Sequence, residues 1–242
     1  MVIALPSRGR VIQALREPWA IVLTAACLTL LVLMGSFLLP WAPYFLFYAA
    51  LSIAIPVWTR SYRFGRVGEL LRERWKAVVL CLVLTFAVDL GLTAIYGPAL
   101  SALGLAGDPY YDLSAALEAL ARAAATRLGI TPELAIGLYA LYVLVWAPVG
   151  EELFYRGYMY GELEERTRPA LAALISTAFF GIRHATHFAL LSPFPLVAAL
   201  WWSFHAFCFG LVMAYAYRST RSLYTPMLAH FLANLVGVLL SA

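Results

Sequence analysis

The sequence predicts an all-α, polytopic membrane protein with about seven transmembrane helices and one or two interfacial amphipathic helices. Of the 242 residues, 63% are hydrophobic and only 12% are charged, and the mean hydropathy is +0.82. A soluble domain carries about 25% charged residues. This composition excludes a water-soluble globule, a disordered chain and a nucleic-acid-binding domain. We expect one membrane domain over residues 1–242.

Apolar runs of about 20 residues, the length that spans a bilayer, follow one another along the chain. The fourth run has a clear helical start, because Thr131 can cap the helix and Pro132 suits its first position. The sequence therefore predicts seven spans, over residues 19–39, 41–59, 77–96, 131–165, 170–188, 195–217 and 223–242.

Two of the connections have apolar residues at helical spacing among charged ones, the pattern of a helix that lies in the membrane interface. The first connection is 60–76, which carries six basic residues. Its apolar face comprises Val67, Leu70, Leu71 and Trp75. The second connection is 97–130, with Leu113, Leu117, Leu120, Ala124 and Leu128 on one face.

The distribution of basic residues predicts the orientation of the chain. Fourteen of the 17 Lys and Arg residues lie in segments 1–18, 60–76, 156–168 and 218–221, which seven spans place on one side. Basic loops stay in the cytoplasm. The net charge of +4 is thus a topology signal, and the protein is expected to be a multi-pass integral membrane protein with a cytoplasmic N-terminus.

Ionisable residues inside the spans are the candidates for function. All four histidines, His184, His187, His205 and His230, lie in the last three runs. Such groups cost about 2.5–3.5 kcal/mol each at mid-membrane and usually line a bundle interior or a wet cavity. Counted at about 1.5 Å per residue from the cytoplasmic anchors, they reach similar depths, as do Glu151, Asn234 and Asp89. One polar cluster in the inner half of the membrane is therefore predicted.

Spacing within the runs predicts which side chains share a helix face. Glu152 and Arg156 are four residues apart and can pair, whereas Glu151 is rotated by about 100° and is left for chemistry. His230 and Asn234 are also four apart.

Two kinds of chemistry fit these groups. A carboxylate and a histidine can deprotonate water and return the proton to a leaving amine, while a second histidine and an amide hold an oxyanion. Alternatively, Glu151, His184 and His230 could bind a divalent metal such as zinc with its water. The His-Glu-x-x-His signature of common zinc proteases is absent.

Residues 145–240 resemble the CPBP family of intramembrane endopeptidases, which comprises CAAX proteases and bacteriocin-processing enzymes. The resemblance rests on three motifs in the family's order, each in an apolar run: Glu151-Glu152-x-x-x-Arg156, Phe180-x-x-x-His184 and His230-x-x-x-Asn234.

The resemblance implies a role for each motif residue. Glu151 and His184 would activate water, and His230 and Asn234 would stabilise the oxyanion. Glu152 and Arg156 would support the site. The resemblance leaves open a glutamic-type or a metal-dependent reaction, and a metal-independent one is preferred here.

Four other polar residues in the spans receive no catalytic role. Arg183 departs from the family pattern, since a small or apolar residue is expected before the motif histidine. It could pair with Asp89, bind a substrate carboxylate or extend to the membrane surface. His187 and His205 are expected to pack between helices.

The function predicted from this resemblance is an intramembrane endopeptidase of a bacterial or archaeal cell membrane. Its partners would be membrane lipids and a peptide or protein substrate, either lipidated or membrane-anchored, and no nucleic acid. One alternative is a non-catalytic membrane scaffold or immunity protein that keeps the protease fold. Another is a transporter with a proton relay, although no inverted repeat is visible.

Overall fold

The computed structural model describes residues 7–38 and 44–241, and these residues form helices and short connections without any strand. The predicted all-α fold class is confirmed. The junction between the first two predicted spans, at residues 39–43, lies outside the described residues. The helices of the described part are α1 (Arg8–Leu15), α2 (Pro18–Leu38), α3 (Tyr44–Thr59), α4 (Val67–Arg72), α5 (Trp75–Ala102), α6 (Leu113–Leu128), α7 (Pro132–Glu164), α8 (Pro169–Ala185), α9 (Leu196–Thr220) and α10 (Tyr224–Ser241).

Several of these helices can cross a membrane. Within the described residues, α5, α7 and α9 are long and apolar enough by themselves. Helix α1 and the following Pro18–Met34 meet the same criteria together, but they are bent by 81°. Phe47–Thr59 and Tyr224–Leu239 are apolar but shorter. The protein is thus an integral membrane protein, while the count of seven spans and the orientation stay predictions.

Both connections expected to hold an interfacial helix contain a helix, and the position of these helices at the membrane interface stays a prediction. Helix α6 matches its prediction, and the Asp112 side chain caps it by accepting from the backbone N–H of Ser114 at 2.9 Å. Helix α4 ends at Arg72, short of the predicted segment, because Trp75 already begins α5. Of the predicted apolar face in 60–76, only Leu70 is buried.

Helix α7 is the central element, and it departs from regular α-helix twice. Residues Tyr142–Trp146 and Glu152–Tyr160 are π-helical, with i→i+5 hydrogen bonds that are typical of functional sites. All nine residues of Glu152–Tyr160 are buried. The polar motif residues on this segment therefore face protein on every side.

Helices α8 and α9 pack against each other beside α7. A Cβ atom at Gly181 would lie 2.7 Å from the backbone oxygen of Ser203, which real Cβ atoms do not tolerate. A glycine is therefore required where these two helices cross. The close crossing brings the polar end of α8 next to the centre of α9.

Candidate active site

Glu152 and Arg156 form a buried ion pair in the π-helical part of α7. Arg156 Nη1 lies 3.1 Å from Glu152 Oε1, and neither side chain is exposed. Arg156 Nη2 also donates to the backbone oxygen of Gly210 on α9, at 3.2 Å. The predicted pairing of Glu152 with Arg156 is confirmed, and the pair ties α7 to α9.

His230 on α10 joins this pair. Its Nδ1 lies 2.8 Å from Glu152 Oε1. A carboxylate only accepts hydrogen bonds, so Nδ1 carries a proton and donates it to Glu152. This leaves Nε2 as the nitrogen of His230 that faces away from Glu152. The carboxylate thus fixes the orientation of the ring, as a carboxylate does for a catalytic histidine.

Glu151 is buried, with 2% of its surface exposed, and it faces a different partner from Glu152. Its Oε1 lies 3.4 Å from Arg183 Nη2 on α8, and the Arg183 side chain is fully buried. Of the alternatives left open for Arg183, the pairing with Asp89 and the extension to the membrane surface are wrong. Asp89 on α5 instead accepts from His205 Nε2 at 2.8 Å, because α5 packs beside α9.

His184 is buried near the end of α8, and a backbone hydrogen bond sets its tautomer. Its Nδ1 lies 2.7 Å from the carbonyl oxygen of Phe180. Since a carbonyl oxygen can only accept, Nδ1 carries the proton, and the neutral ring presents Nε2 as an acceptor. An acceptor nitrogen of this kind is what a general base requires.

The ring of Phe180 lies at the point where the three motifs meet. Its centroid is 4.5 Å from that of His184 and 6.2 Å from that of His230. The guanidinium carbon of Arg156 lies 4.4 Å from the same ring. The structure therefore brings side chains of α7, α8 and α10 together around one aromatic residue, as the predicted polar cluster requires.

Asn234 lies on α10, and its side chain contacts the backbone of α7. Its Nδ2 donates to the backbone oxygen of Val143 at 2.7 Å. Val143 lies in the first π-helical stretch, Tyr142–Trp146. An amide nitrogen has two N–H groups, so one of them remains for a ligand.

The residues proposed for a metal do not fit one in this arrangement. Among the residues that the structure describes, no three His, Cys, Asp or Glu side chains are grouped so that they could hold a metal ion. Glu151 is paired with Arg183, and the Nδ1 atoms of His184 and His230 are occupied. We therefore derive no step through zinc.

Some residues around Arg183 were not singled out from the sequence. The Tyr142 hydroxyl accepts from Arg183 Nη2 at 3.0 Å, and the ring of Tyr48 lies 4.5 Å from the guanidinium carbon. Arg183 Nη1 also contacts His187 Nε2. Tyr142 and Tyr48 look like ordinary core aromatics in the sequence, and only the unusual position of Arg183 pointed to this region.

Residues 133–236 match the family described as type II CAAX prenyl endopeptidase Rce1-like. This segment is similar to an Rce1-like domain. It contains every residue of the three motifs, so the resemblance to CAAX proteases is confirmed and supports a membrane-protease role.

One curated relative matches as well. It is the protein named "Putative membrane peptidase YdiL" of Bacillus subtilis (strain 168), which is 29% identical over 106 residues. The match covers 44% of this chain and 38% of the relative, so the chain spans well under half of that protein's length. No solved structure matches the chain. These matches do not support a metalloprotease over another type.

Proposed function

We propose that the protein is an intramembrane endopeptidase that hydrolyses a peptide bond with water activated by Glu151 and His184, in the inner half of the membrane. The observation that carries this proposal is the convergence of the three motifs around Phe180. The match of residues 133–236 to a protease family agrees with it. The substrate would be a peptide or protein that reaches the site from the bilayer.

The first step is the activation of water. His184 Nε2 accepts a proton from water, and the Glu151 carboxylate is the second acceptor that orients it. The hydroxide attacks the carbonyl carbon of the scissile bond and gives a tetrahedral oxyanion. The proton then passes to the amide nitrogen, and the C–N bond breaks.

The second requirement is the stabilisation of the oxyanion. The remaining N–H of Asn234 can donate to it, and so can Nε2 of His230 when that ring is protonated. Glu152 holds His230 in place, and Arg156 holds Glu152. Glu152 and Arg156 are thus positioning residues, because they act on the reaction through His230.

The test compares membrane proteomes of cells that carry the wild type or Glu151→Gln. A protease leaves intact substrates behind in the variant and processed ones in the wild type. Glu118→Gln, in the exposed ion pair with Arg122, is the matched control and should process normally. If Glu151→Ala and His184→Ala both leave the cleavage of an identified substrate unchanged, the proposal is wrong. Elemental analysis of active protein tests the metal-independent route, which stoichiometric zinc would overturn.

One observation favours a second candidate, a non-catalytic scaffold or immunity protein. Glu151 is held by Arg183 rather than by a histidine within the described residues, and this ion pair occupies the carboxylate that the reaction would use. A scaffold needs no base. Expression of Glu151→Gln in a deletion strain would then restore the wild-type phenotype. A protease predicts that the same variant fails to do so.

A further inference from the structure

Arg183 is a buried cation with a single acidic partner in the described residues. Its side chain is fully buried, and its one ion pair there is with Glu151, at 3.4 Å. Its other contacts are neutral: the Tyr142 hydroxyl, the Tyr48 ring and His187. Its Nε has no hydrogen-bond partner among the residues that the structure describes.

The other acids of the polar cluster are already paired. Glu152 is shared by Arg156 and His230, and Asp89 is held by His205. If Glu151 turns to activate water, Arg183 loses its counter-charge. A buried charge without a partner is strongly unfavourable, so another anion must take the place of Glu151 during the reaction.

We propose that this anion is a carboxylate of the substrate, and that Arg183 is a residue that determines specificity. The inference rests on the proposed function. Substrate binding exchanges the partner of Arg183 from Glu151 to the peptide carboxylate, and Glu151 becomes available to the water. The exchange breaks no covalent bond. The substrate carboxylate brings one negative charge, which pairs with Arg183, while Glu151 exchanges its ion pair for a hydrogen bond from the water.

The geometry limits where this carboxylate lies in the substrate. Arg183 and Glu151 are in direct contact, and the activated water lies beside Glu151. An extended peptide advances about 3.3–3.6 Å per residue, so the carboxylate lies within about two residues of the scissile bond. It belongs either to an Asp or Glu side chain or to a free C-terminus.

The first experiment asks whether Arg183 can accept a carboxylate from solution. In purified Glu151→Ala protein, sodium formate should raise the unfolding temperature by a few degrees in a saturable way, beyond sodium chloride at equal ionic strength. The double variant Glu151→Ala with Arg183→Gln should show no such effect. Equal responses to formate and chloride, or equal responses of both variants, would overturn the inference.

The second experiment measures the preference during cleavage in proteoliposomes. A sequence found by the proteome comparison is synthesised with Glu or Gln beside the scissile bond, and with a C-terminal acid or amide. The wild type should prefer one carboxylate form by about 10- to 100-fold in kcat/KM, mainly through KM. Arg183→Gln should abolish this ratio, and Arg183→Lys should keep part of it. The two pairs of peptides distinguish a side-chain carboxylate from a C-terminal one.

The outcomes separate the two proposals. Cleavage of acidic and neutral peptides at equal rates refutes the role of Arg183 and leaves the protease intact. A preference that persists in Arg183→Gln refutes it as well, because a purely structural arginine would change rates without changing the ratio. If the wild type cleaves none of the peptides and no substrate in cells, the proposed function fails, and the formate experiment alone decides whether Arg183 binds carboxylates.

Discussion

Replacing Arg156 with methionine tests the central ion pair. The change removes a charge whose side chain is fully buried, together with its bonds to Glu152 and to the Gly210 carbonyl. Breaking a buried pair costs about 3–5 kcal/mol. We expect the lower value of about 3 kcal/mol, because Glu152 keeps the hydrogen bond from His230. For a chain of this length, about 2–4 °C per kcal/mol converts this cost to a fall of about 6–12 °C in the unfolding temperature.

The measurement is thermal unfolding of the purified protein in one detergent. Arg122→Met is the matched control, because it breaks an ion pair of the same i,i+4 spacing with Glu118, whose side chain is 70% exposed. Such a pair contributes about 0.3–0.5 kcal/mol, so the control should unfold within about 2 °C of the wild type. If Arg156→Met unfolds at the same temperature as this control, the buried Glu152–Arg156 ion pair does not contribute to the stability of the protein, and the reasoning is refuted.

Three further predictions concern substitutions at four positions. Gly210→Ala should cost about 1–3 kcal/mol and slow cleavage, because its Cβ would lie 3.0 Å from Arg156 Nη2. Gly91→Ala, with nothing within 4 Å, should gain up to about 1 kcal/mol; thermal unfolding that ranks the two alike would contradict this reasoning. Asn234→Ala should lower kcat by about 100-fold or more, and an effect on KM alone would remove Asn234 from the oxyanion site. Asp89→Asn should keep a near-normal cleavage rate, and a loss of about tenfold would place Asp89 in the mechanism.

Spacing and hydropathy were sufficient to predict most of the helices and the pairing of Glu152 with Arg156. Both depend on local periodicity, which the sequence displays directly. The convergence of Arg156, His184 and His230 around Phe180 could be anticipated, because expensive polar groups inside a membrane must share an interior. The catalytic roles of these residues stay predictions.

The partner of Arg183 could not be predicted, because it depends on how α8 is rotated against α7 and α5. A count of residues gives the depth of a side chain but not the direction in which it points. The same limitation explains why the depth of Asp89 is compatible with Arg183 as a partner, although the structure pairs Asp89 with His205. The π-helical turns were also invisible, because no residue pattern in 152–160 distinguishes them from a regular helix.

The π-helical stretch Glu152–Tyr160 has a consequence for how this protein can vary in evolution. Wide turns of this kind accommodate one more residue than a regular helix does over the same rise. A homologue that lost one residue here would keep a hydrophobic segment of nearly equal length and would look unchanged in a hydropathy plot. Its acidic and basic side chains would nevertheless no longer face their partners on α9 and α10. The length of this segment should therefore be conserved as strictly as the identity of its charged residues.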